Sequence, residues 1–330
     1  MLPSLEAHAQ TATTDATVVE RGLTLYASGA LGTPVRMNQK KDLEFLVDTG
    51  ATLTGIWNSA VQQNELRHNH IGNANIGAAD GMVVLRMLRF EGLNVGALTL
   101  DPPILTEFPD YFAYYRRPLS GILGADFLKD YLVVFDFPRQ KIVFYPKNIN
   151  LTRKMPGYFD VVPLKYSEPY AALRMKVKVN GKDVNALLDT GASMTTVLVS
   201  EARRIGLPVE GAPDSSMSGI NGNAIPAWFL DVQSIKAGTR EWKDTNLVAS
   251  QFKVDEADGF AMLFGINHLG ETPFAVDYGR NRLLLAKPEK VQIAEAEKRA
   301  AGALSALPQE EGFPCAFPAM ALEGLVCIDD

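Results

Sequence analysis

The chain has 330 residues, of which 47% are hydrophobic and 21% are charged, and its formal net charge is -6. This composition excludes a disordered or fibrous protein, and the length allows two domains with cores of their own. No Lys/Arg-rich run is present, so the sequence gives no support to nucleic acid as a partner. No apolar stretch reaches the roughly 18 residues that predict a membrane span.

The first twenty residues form a polar leader. Its Ala7-His8-Ala9 matches the A-x-A pattern before signal-peptide cleavage sites, although the usual apolar segment ahead of it is missing. We therefore expect a periplasmic or secreted protein, with a cytoplasmic location as the alternative. The only two cysteines are Cys315 and Cys327. They would form a disulfide in an exported protein or stay reduced in the cytosol.

The sequence contains an internal repeat with a constant offset between its two copies. Asp48 in "FLVDTGATL" corresponds to Asp189 in "ALLDTGASM", and both follow an apolar, strand-like run. Gly124 in "ILGADFL" corresponds to Gly265 in "LFGINHL" at the same offset. This offset also relates further pairs: Gly81 and Gly222, Asp136 and Asp277, and Arg139 and Arg280. So many coincidences at one offset indicate two homologous halves.

The repeat and the apolar pattern predict two mostly β domains. Alternation in "RMKVKVNGKDVNALLD" predicts a hairpin that turns at Asn180-Gly181, and similar runs occur throughout both halves. A polar stretch with Pro and Gly separates the halves. The predicted boundaries are a leader at 1–20, lobes at 21–150 and 151–287, and a helix with a Pro-rich tail at 288–330.

Helix signals are few. Asp126 and Asn267 follow the two glycine motifs and are predicted to cap short helices. The one long helix is predicted over Pro288–Leu307, because this segment begins with Pro and is rich in Ala. We expect it to pack on the outside of the second half.

The paired Asp-Thr-Gly motifs indicate a specific chemistry. One copy would be weak evidence, since Asp, Thr and Gly are also typical of turns that end strands. Two symmetric copies would bring Asp48 and Asp189 together where the halves meet. Two close carboxylates share one proton, so one acts as a base on a bound water while the other donates to a carbonyl oxygen.

Together with the two glycine motifs, these residues resemble the retropepsin-like aspartic proteases of the two-lobed, single-chain bacterial type. The resemblance covers Leu23 to Lys287, and the spacing from the Asp to the Gly of the second motif is identical in the two halves. It implies two homologous β-barrel lobes related by a pseudo-two-fold axis, with short helices and the C-terminal helix. It also implies an endopeptidase that needs no metal or cofactor, takes an extended polypeptide and works as a monomer.

The resemblance assigns roles residue by residue. Asp48 and Asp189 would hold the water that attacks the peptide bond. The residues that would support the catalytic loops are Thr49, Gly50, Thr190, Gly191, Gly124 and Gly265. The resemblance also implies a flap, a hairpin that closes over the substrate. The two glycine-rich segments Gly72–Val84 and Ser216–Trp228 are the candidates, and the second could equally be an ordinary surface hairpin. The flap residues selected are Gly77, Gly81, Met82, Gly219, Ile220 and Gly222.

The motifs depart from the pepsin-like pattern in two ways. The flap candidates contain no evident counterpart of the tyrosine typical of pepsin-like enzymes. Ala51 and Ala192 also stand where those enzymes usually have Ser or Thr. A lost hydroxyl removes one hydrogen bond that favours the charged carboxylate, so we expect a mildly acidic pH optimum and not one near pH 2.

Two other functions fit parts of the sequence. An actin-like or sugar-kinase-like ATPase also carries Asp, Gly and Thr after a strand in each half, but such proteins are α/β throughout. A non-catalytic peptide-binding module with the same fold is the other alternative. The two intact aspartates favour the enzyme over the binding module.

Overall fold

The computed structural model describes residues 18–110, 119–167, 172–253 and 259–292. Most of these residues lie in strands, and the helices are short. Residues 1–17 of the predicted leader, the two cysteines and the Pro-rich tail lie outside the described residues. The predicted C-terminal helix is observed over 288–292, and its remaining part also lies outside them. Among the described residues, no helix is long and apolar enough to cross a membrane.

Among the described residues, the first half together with its connection to the second contains thirteen strands and three helices. Its elements are β1 (Val19–Gly22), β2 (Thr24–Leu25), β3 (Leu31–Met37), β4 (Lys41–Val47), β5 (Gly55–Trp57), α1 (Asn58–Gln63), β6 (His68–Ala78), β7 (Gly81–Phe90), β8 (Leu93–Val95), β9 (Leu98–Leu100), β10 (Ile104–Phe108), β11 (Gly121–Leu123), α2 (Ala125–Leu128), β12 (Tyr131–Asp136), β13 (Lys141–Pro146) and α3 (Leu151–Lys154).

The described part of the second half has a similar order of elements. Its elements are β14 (Phe159–Pro163), β15 (Lys165–Ser167), β16 (Ala172–Val179), β17 (Lys182–Leu188), β18 (Thr196–Leu198), α4 (Val199–Arg204), β19 (Ser215–Ser218), β20 (Ala224–Ala237), β21 (Arg240–Ser250), β22 (Met262–Phe264), α5 (Ile266–Leu269), β23 (Phe274–Asp277) and β24 (Arg282–Ala286).

The internal repeat is visible in the element boundaries. The offset that relates Asp48 to Asp189 superimposes β4 on β17, β5 on β18, β11 on β22, α1 on α4 and α2 on α5, residue for residue. These are the elements that surround the two Asp-Thr-Gly motifs. The predicted mostly β fold with two homologous lobes is confirmed, and it is not the α/β architecture that the ATPase alternative requires.

Each lobe has its own large sheet. In the first lobe the strand order is β6-β7-β10-β5-β11-β4-β3-β8-β9, with β2 on β3. In the second lobe it is β15-β16-β17-β22-β18-β21-β20-β19, and a further pairing of β16 with β20 curls the sheet on itself. The predicted hairpin of β16 and β17 turns through Asn180 and Gly181, whose φ values of 46° and 79° suit Asn-Gly.

A third sheet joins the lobes. Its order is β1-β13-β12-β23-β24-β14, so β12 of the first half pairs directly with β23 of the second. Phe135 and Phe274 stack across this junction with ring centroids 4.5 Å apart, and both are fully buried. Because β1 begins at Val19, the last two residues of the predicted leader belong to this sheet.

Candidate active site

The two Asp-Thr-Gly motifs follow equivalent strands at the centre of each lobe. In the first lobe, β11 pairs in parallel with β4 and antiparallel with β5, so it lies between the strands on either side of the Asp48 loop. In the second lobe, β22 has the same place between β17 and β18. The backbone N–H of Asp48 donates to Leu123, and that of Asp189 donates to Phe264. Both catalytic loops are therefore anchored to the strand that leads into the glycine motif.

Glycine is required where each glycine motif passes beneath the neighbouring Asp-Thr-Gly loop. A Cβ on Gly124 would lie 2.6 Å from the carbonyl carbon of Leu53, and one on Gly265 would lie 2.6 Å from the carbonyl oxygen of Ala192. No side chain fits at either position, since the chain after the glycine passes directly under the catalytic loop. Both predicted glycine motifs therefore lie directly against the loops that carry Asp48 and Asp189.

The threonines of the two motifs bind each other across the lobe interface. The hydroxyl of Thr190 accepts from the N–H of Thr49 at 3.0 Å and donates to the carbonyl of Val47 at 2.7 Å. The hydroxyl of Thr49 accepts from the N–H of Thr190 at 3.1 Å and donates to the carbonyl of Leu188 at 2.8 Å. Four buried hydrogen bonds therefore fix one Asp-Thr-Gly loop against the other.

The carboxyl groups of Asp48 and Asp189 lie within hydrogen-bonding distance of each other. A Cβ on Gly50 would lie 2.8 Å from the carboxyl carbon of Asp189, and one on Gly191 would overlap the carboxyl group of Asp48. These two glycines allow each aspartate to approach the backbone of the opposite loop.

Both carboxyl groups have raised pKa values. Burial raises the pKa of Asp189 to about 8, and the neighbouring charge of Asp48 adds to the shift. Burial also raises the pKa of Asp48, against the opposing effect of its hydrogen bonds from Gly50 and Ala51 at 2.8 and 3.0 Å. The pair titrates as a unit, and its last proton is retained up to near-neutral pH.

A second layer of hydrogen bonds holds each glycine motif, and it differs between the lobes. In the first lobe, the hydroxyl of Thr54 accepts from the N–H of Gly124 at 3.1 Å and donates to Asp126 at 2.6 Å. In the second lobe, the hydroxyl of Thr195 accepts from the N–H of Gly265 at 3.0 Å and bonds Nδ1 of His268 at 2.8 Å. The partner of the threonine is thus a carboxylate in one lobe and an imidazole in the other.

The prediction that Asp126 and Asn267 cap the short helices is wrong. The N-cap positions of α2 and α5 are Gly124 and Gly265, and neither helix has a side-chain cap. Asp126 instead accepts from the N–H and hydroxyl of Thr54, and Asn267 accepts from the N–H of Thr195 at 2.7 Å. The same oxygen of Asp126 also accepts from the N–H of Phe127 within α2 at 2.9 Å, so Asp126 joins the loop to the helix from inside the helix and not from its N-cap position.

Both flap candidates are hairpins, formed by β6–β7 and β19–β20. Gly81 and Gly222 have φ values of 127° and 72°, which favour glycine in the two turns. Ile220 packs partly buried against the main core. Met82, which pairs with Gly77, is 71% exposed, while its neighbour Val83 is the side chain that packs inward.

Comparison with known proteins agrees with the site. The aspartyl protease family model matches residues 33–127 and 175–268, one match in each half. These matches cover more than half of the chain, so the protein belongs to the aspartyl protease family. They contain both Asp-Thr-Gly motifs and both glycine motifs.

The structural similarity extends over most of the chain. An aspartic proteinase from Irpex lacteus matches with a TM-score of 0.52 and 13% identity, over 82% of this chain and 97% of that one. Basic 7S globulin from soybean matches with a TM-score of 0.48 and 11% identity, over 82% and 95% of the two chains. Conglutin gamma, a basic 7S globulin from lupine seeds, matches with a TM-score of 0.45 and 13% identity, over 83% of this chain and 95% of that one. No curated protein matches by sequence.

Sequence reasoning did not find the second layer. Thr54, Thr195 and His268 have no signature of their own, because a buried hydroxyl looks like any other threonine in a β protein. The repeat offset was the available signal, since it pairs Thr54 with Thr195. It did not show which neighbour each hydroxyl binds.

The threonine contact can be tested with Thr190→Val. This change keeps the shape of the side chain but leaves the N–H of Thr49 and the carbonyl of Val47 unpaired in a buried place. Each unpaired group should lower the free energy of unfolding by about 1–3 kcal/mol. Urea denaturation gives the value. Thr190→Ser keeps the hydroxyl and should cost less, and equal losses in the two variants would contradict the role of the hydroxyl.

Asp126 should make the stability depend on pH. Burial raises the pKa of Asp126 to about 6, whereas the unfolded chain releases this proton near pH 4. The folded chain therefore binds more protons in this window, and its stability falls as the pH rises from 4 to above 6. Asp126→Asn removes the titration, so at pH 7 the variant should be more stable than the natural chain by up to about 3 kcal/mol.

The control for this prediction is the equivalent position of the second lobe. Asn267→Asp places a carboxylate where the natural chain has an amide, and it should add a pH dependence of the same sign. Urea denaturation between pH 4 and 7.5 measures both variants. An Asp126→Asn variant whose advantage over the natural chain is the same at pH 4 and pH 7 would show that Asp126 does not titrate in this window.

Proposed function

We propose that the protein is an aspartic endopeptidase that hydrolyses peptide bonds with a water held between Asp48 and Asp189. The observation that carries this proposal is the contact of the two carboxyl groups, each delivered by one half of the chain. Membership of the aspartyl protease family supports a polypeptide as the substrate.

The two carboxyl groups have different roles in the proposed reaction. Each carboxyl group accepts two equivalent backbone N–H groups, from Gly50 and Ala51 at Asp48 and from Gly191 and Ala192 at Asp189, so either residue can hold the shared proton, and the reaction is written with Asp189 as the donor. Asp48 removes a proton from the water as its oxygen attacks the carbonyl carbon of the peptide. Asp189 gives its proton to the carbonyl oxygen, so the tetrahedral intermediate is neutral.

The second step breaks the carbon–nitrogen bond. The proton that Asp48 took from the water passes to the leaving nitrogen, and Asp189 recovers a proton from the intermediate as the carbonyl re-forms. The products are an amine and a carboxylic acid, and the pair returns to its singly protonated state. No group outside the pair and the water is needed for the proton balance.

The pair and its loops belong to one chain, and both lobes share the sheet that joins them. We therefore propose a monomer as the active unit. The predicted leader supports an exported protein as part of the same proposal, with a periplasmic or secreted location.

Cleavage of a mixed peptide library between pH 3 and 9 tests the mechanism. Asp48→Asn and Asp189→Asn should each lower the rate by at least about 10²- to 10⁴-fold, since each removes one partner of general acid–base catalysis. Asp231→Asn is the matched control, because it makes the same chemical change at an exposed position of β20. The Asp231→Asn variant should cleave the library at the same rate as the natural chain.

The same experiment gives the pH dependence. The raised pKa values predict that the pair keeps one proton in mildly acidic to neutral solution, with a loss of activity as the pH rises through about 8. Activity that survives both Asp→Asn changes would refute the mechanism. A rate that keeps rising as the pH falls to 3 would refute the protonation state assigned to the pair.

A further inference from the structure

The tip of the first flap crosses from the first lobe to the second. The turn between β6 and β7 is formed by Ala79 and Asp80. The carbonyl of Ala79 accepts from the backbone N–H of Lys253, which follows β21 of the second lobe, at 2.7 Å. The side chain of Ala79 packs on an apolar cluster that belongs wholly to the second lobe, namely Leu187, Ile225, Phe252 and Leu263.

The carboxylate of Asp80 binds the tip of the second flap. Its Oδ2 accepts from the backbone N–H of Asn223 at 3.1 Å. The next residue, Gly81, accepts from the side-chain amide of Asn221 at 3.4 Å. Gly219 allows the close approach, because a Cβ there would lie 2.7 Å from the carboxyl carbon of Asp80. Asp80 therefore connects the two turns, and residues 219–223 of the second turn form the surface that Asp80 binds.

This contact is also linked to the catalytic loop of the second lobe. Ala192 directly follows the motif Asp189-Thr190-Gly191, and it packs on the same apolar cluster as Ala79. Met217 of the second flap packs there as well. The flap tip and the catalytic loop thus rest on one surface, so the position of the flap is fixed relative to the carboxyl pair.

We propose that Asp80 is a positioning residue that fastens the first flap to the second over the carboxyl pair, and that a polypeptide must open this contact to enter. The kinetic part of this inference rests on the proposed endopeptidase function. The structural part of the inference, that one flap fastens the other, does not depend on that function.

The contact predicts different effects for two substitutions. Asp80→Ala removes the acceptor for the N–H of Asn223 and should increase the fraction of molecules with separated flaps. A hydrogen bond to a charged group contributes enough for about a tenfold change. Asp80→Asn keeps an acceptor oxygen of the same size and should restore most of the natural behaviour.

Amide hydrogen exchange tests the fastening without any substrate. In Asp80→Ala, exchange at the backbone amides of Asn223 and Lys253 should be about ten times faster than in the natural chain, and the amide of Thr190 should be unchanged. Asp214→Ala is the matched control, since its carboxylate accepts from the amide of Phe229 at 2.9 Å within the second lobe. This control should leave Asn223 and Lys253 unchanged. Unaltered exchange at both amides in Asp80→Ala would overturn the proposal.

A reversible cross-link tests the entry of the substrate. A Cβ at Gly219 would lie about 4 Å or less from that of Asp80, a separation that a disulfide spans. The double variant Asp80→Cys and Gly219→Cys, made with Cys315→Ser and Cys327→Ser, should cleave peptides at least tenfold more slowly when oxidised than when reduced. Equal rates in the two forms would overturn the entry requirement.

The two experiments separate this inference from the proposed function. A natural chain that cleaves no peptide at any pH refutes the endopeptidase proposal, while the exchange rates still decide whether Asp80 fastens the flaps. In an active enzyme, Asp80→Ala should lower kcat about tenfold, because the flap no longer holds the substrate over the pair. Asp80→Asn should recover kcat, whereas a purely structural defect would not be rescued in this way.

Discussion

Two carboxyl groups in contact repel each other when both are charged, and the structure around Asp48 and Asp189 meets this constraint. Neutral hydrogen bonds hold the two loops together: each threonine hydroxyl accepts from the opposite backbone and donates to the opposite strand. No side-chain charge takes part in this contact, so its four hydrogen bonds do not require a particular protonation state of the pair. The carboxyl groups can therefore share one proton while their separation stays fixed.

The two lobes have the same backbone around the site but different polar partners. Asp126 accepts the hydrogen bond of Thr54 in the first lobe, and His268 bonds Thr195 in the second. Burial raises the pKa of Asp126 to about 6 and lowers that of His268 to about 4. Asp126 weakens the fold as the pH rises through this range, and His268 weakens it as the pH falls. The two opposite effects partly cancel in the mildly acidic range proposed for catalysis.

Much of this architecture was predictable from the sequence, because the repeat offset fixes equivalent positions. It paired Asp48 with Asp189, their glycines with each other, and the apolar runs that precede them. It did not predict contacts between positions that are not equivalent, such as that of Asp80 with Asn223. The exposure of Met82 was not predictable either, since alternation in a two-stranded hairpin does not show which face turns inward. Asp126 was assigned to a helix cap because its buried partner, Thr54, lies 72 residues away in the chain.

The proposal that the two lobes share one proton is tested by ¹³C NMR of the aspartate side-chain carboxyl carbons between pH 4 and 9. In the natural chain the Asp189 signal should titrate near pH 8, partly because of the charge on Asp48. In Asp48→Asn that charge is absent, so the titration of Asp189 should move to lower pH. An Asp189 signal that titrates at the same pH in both proteins would contradict a shared proton and, with it, a single catalytic pair built from the two halves.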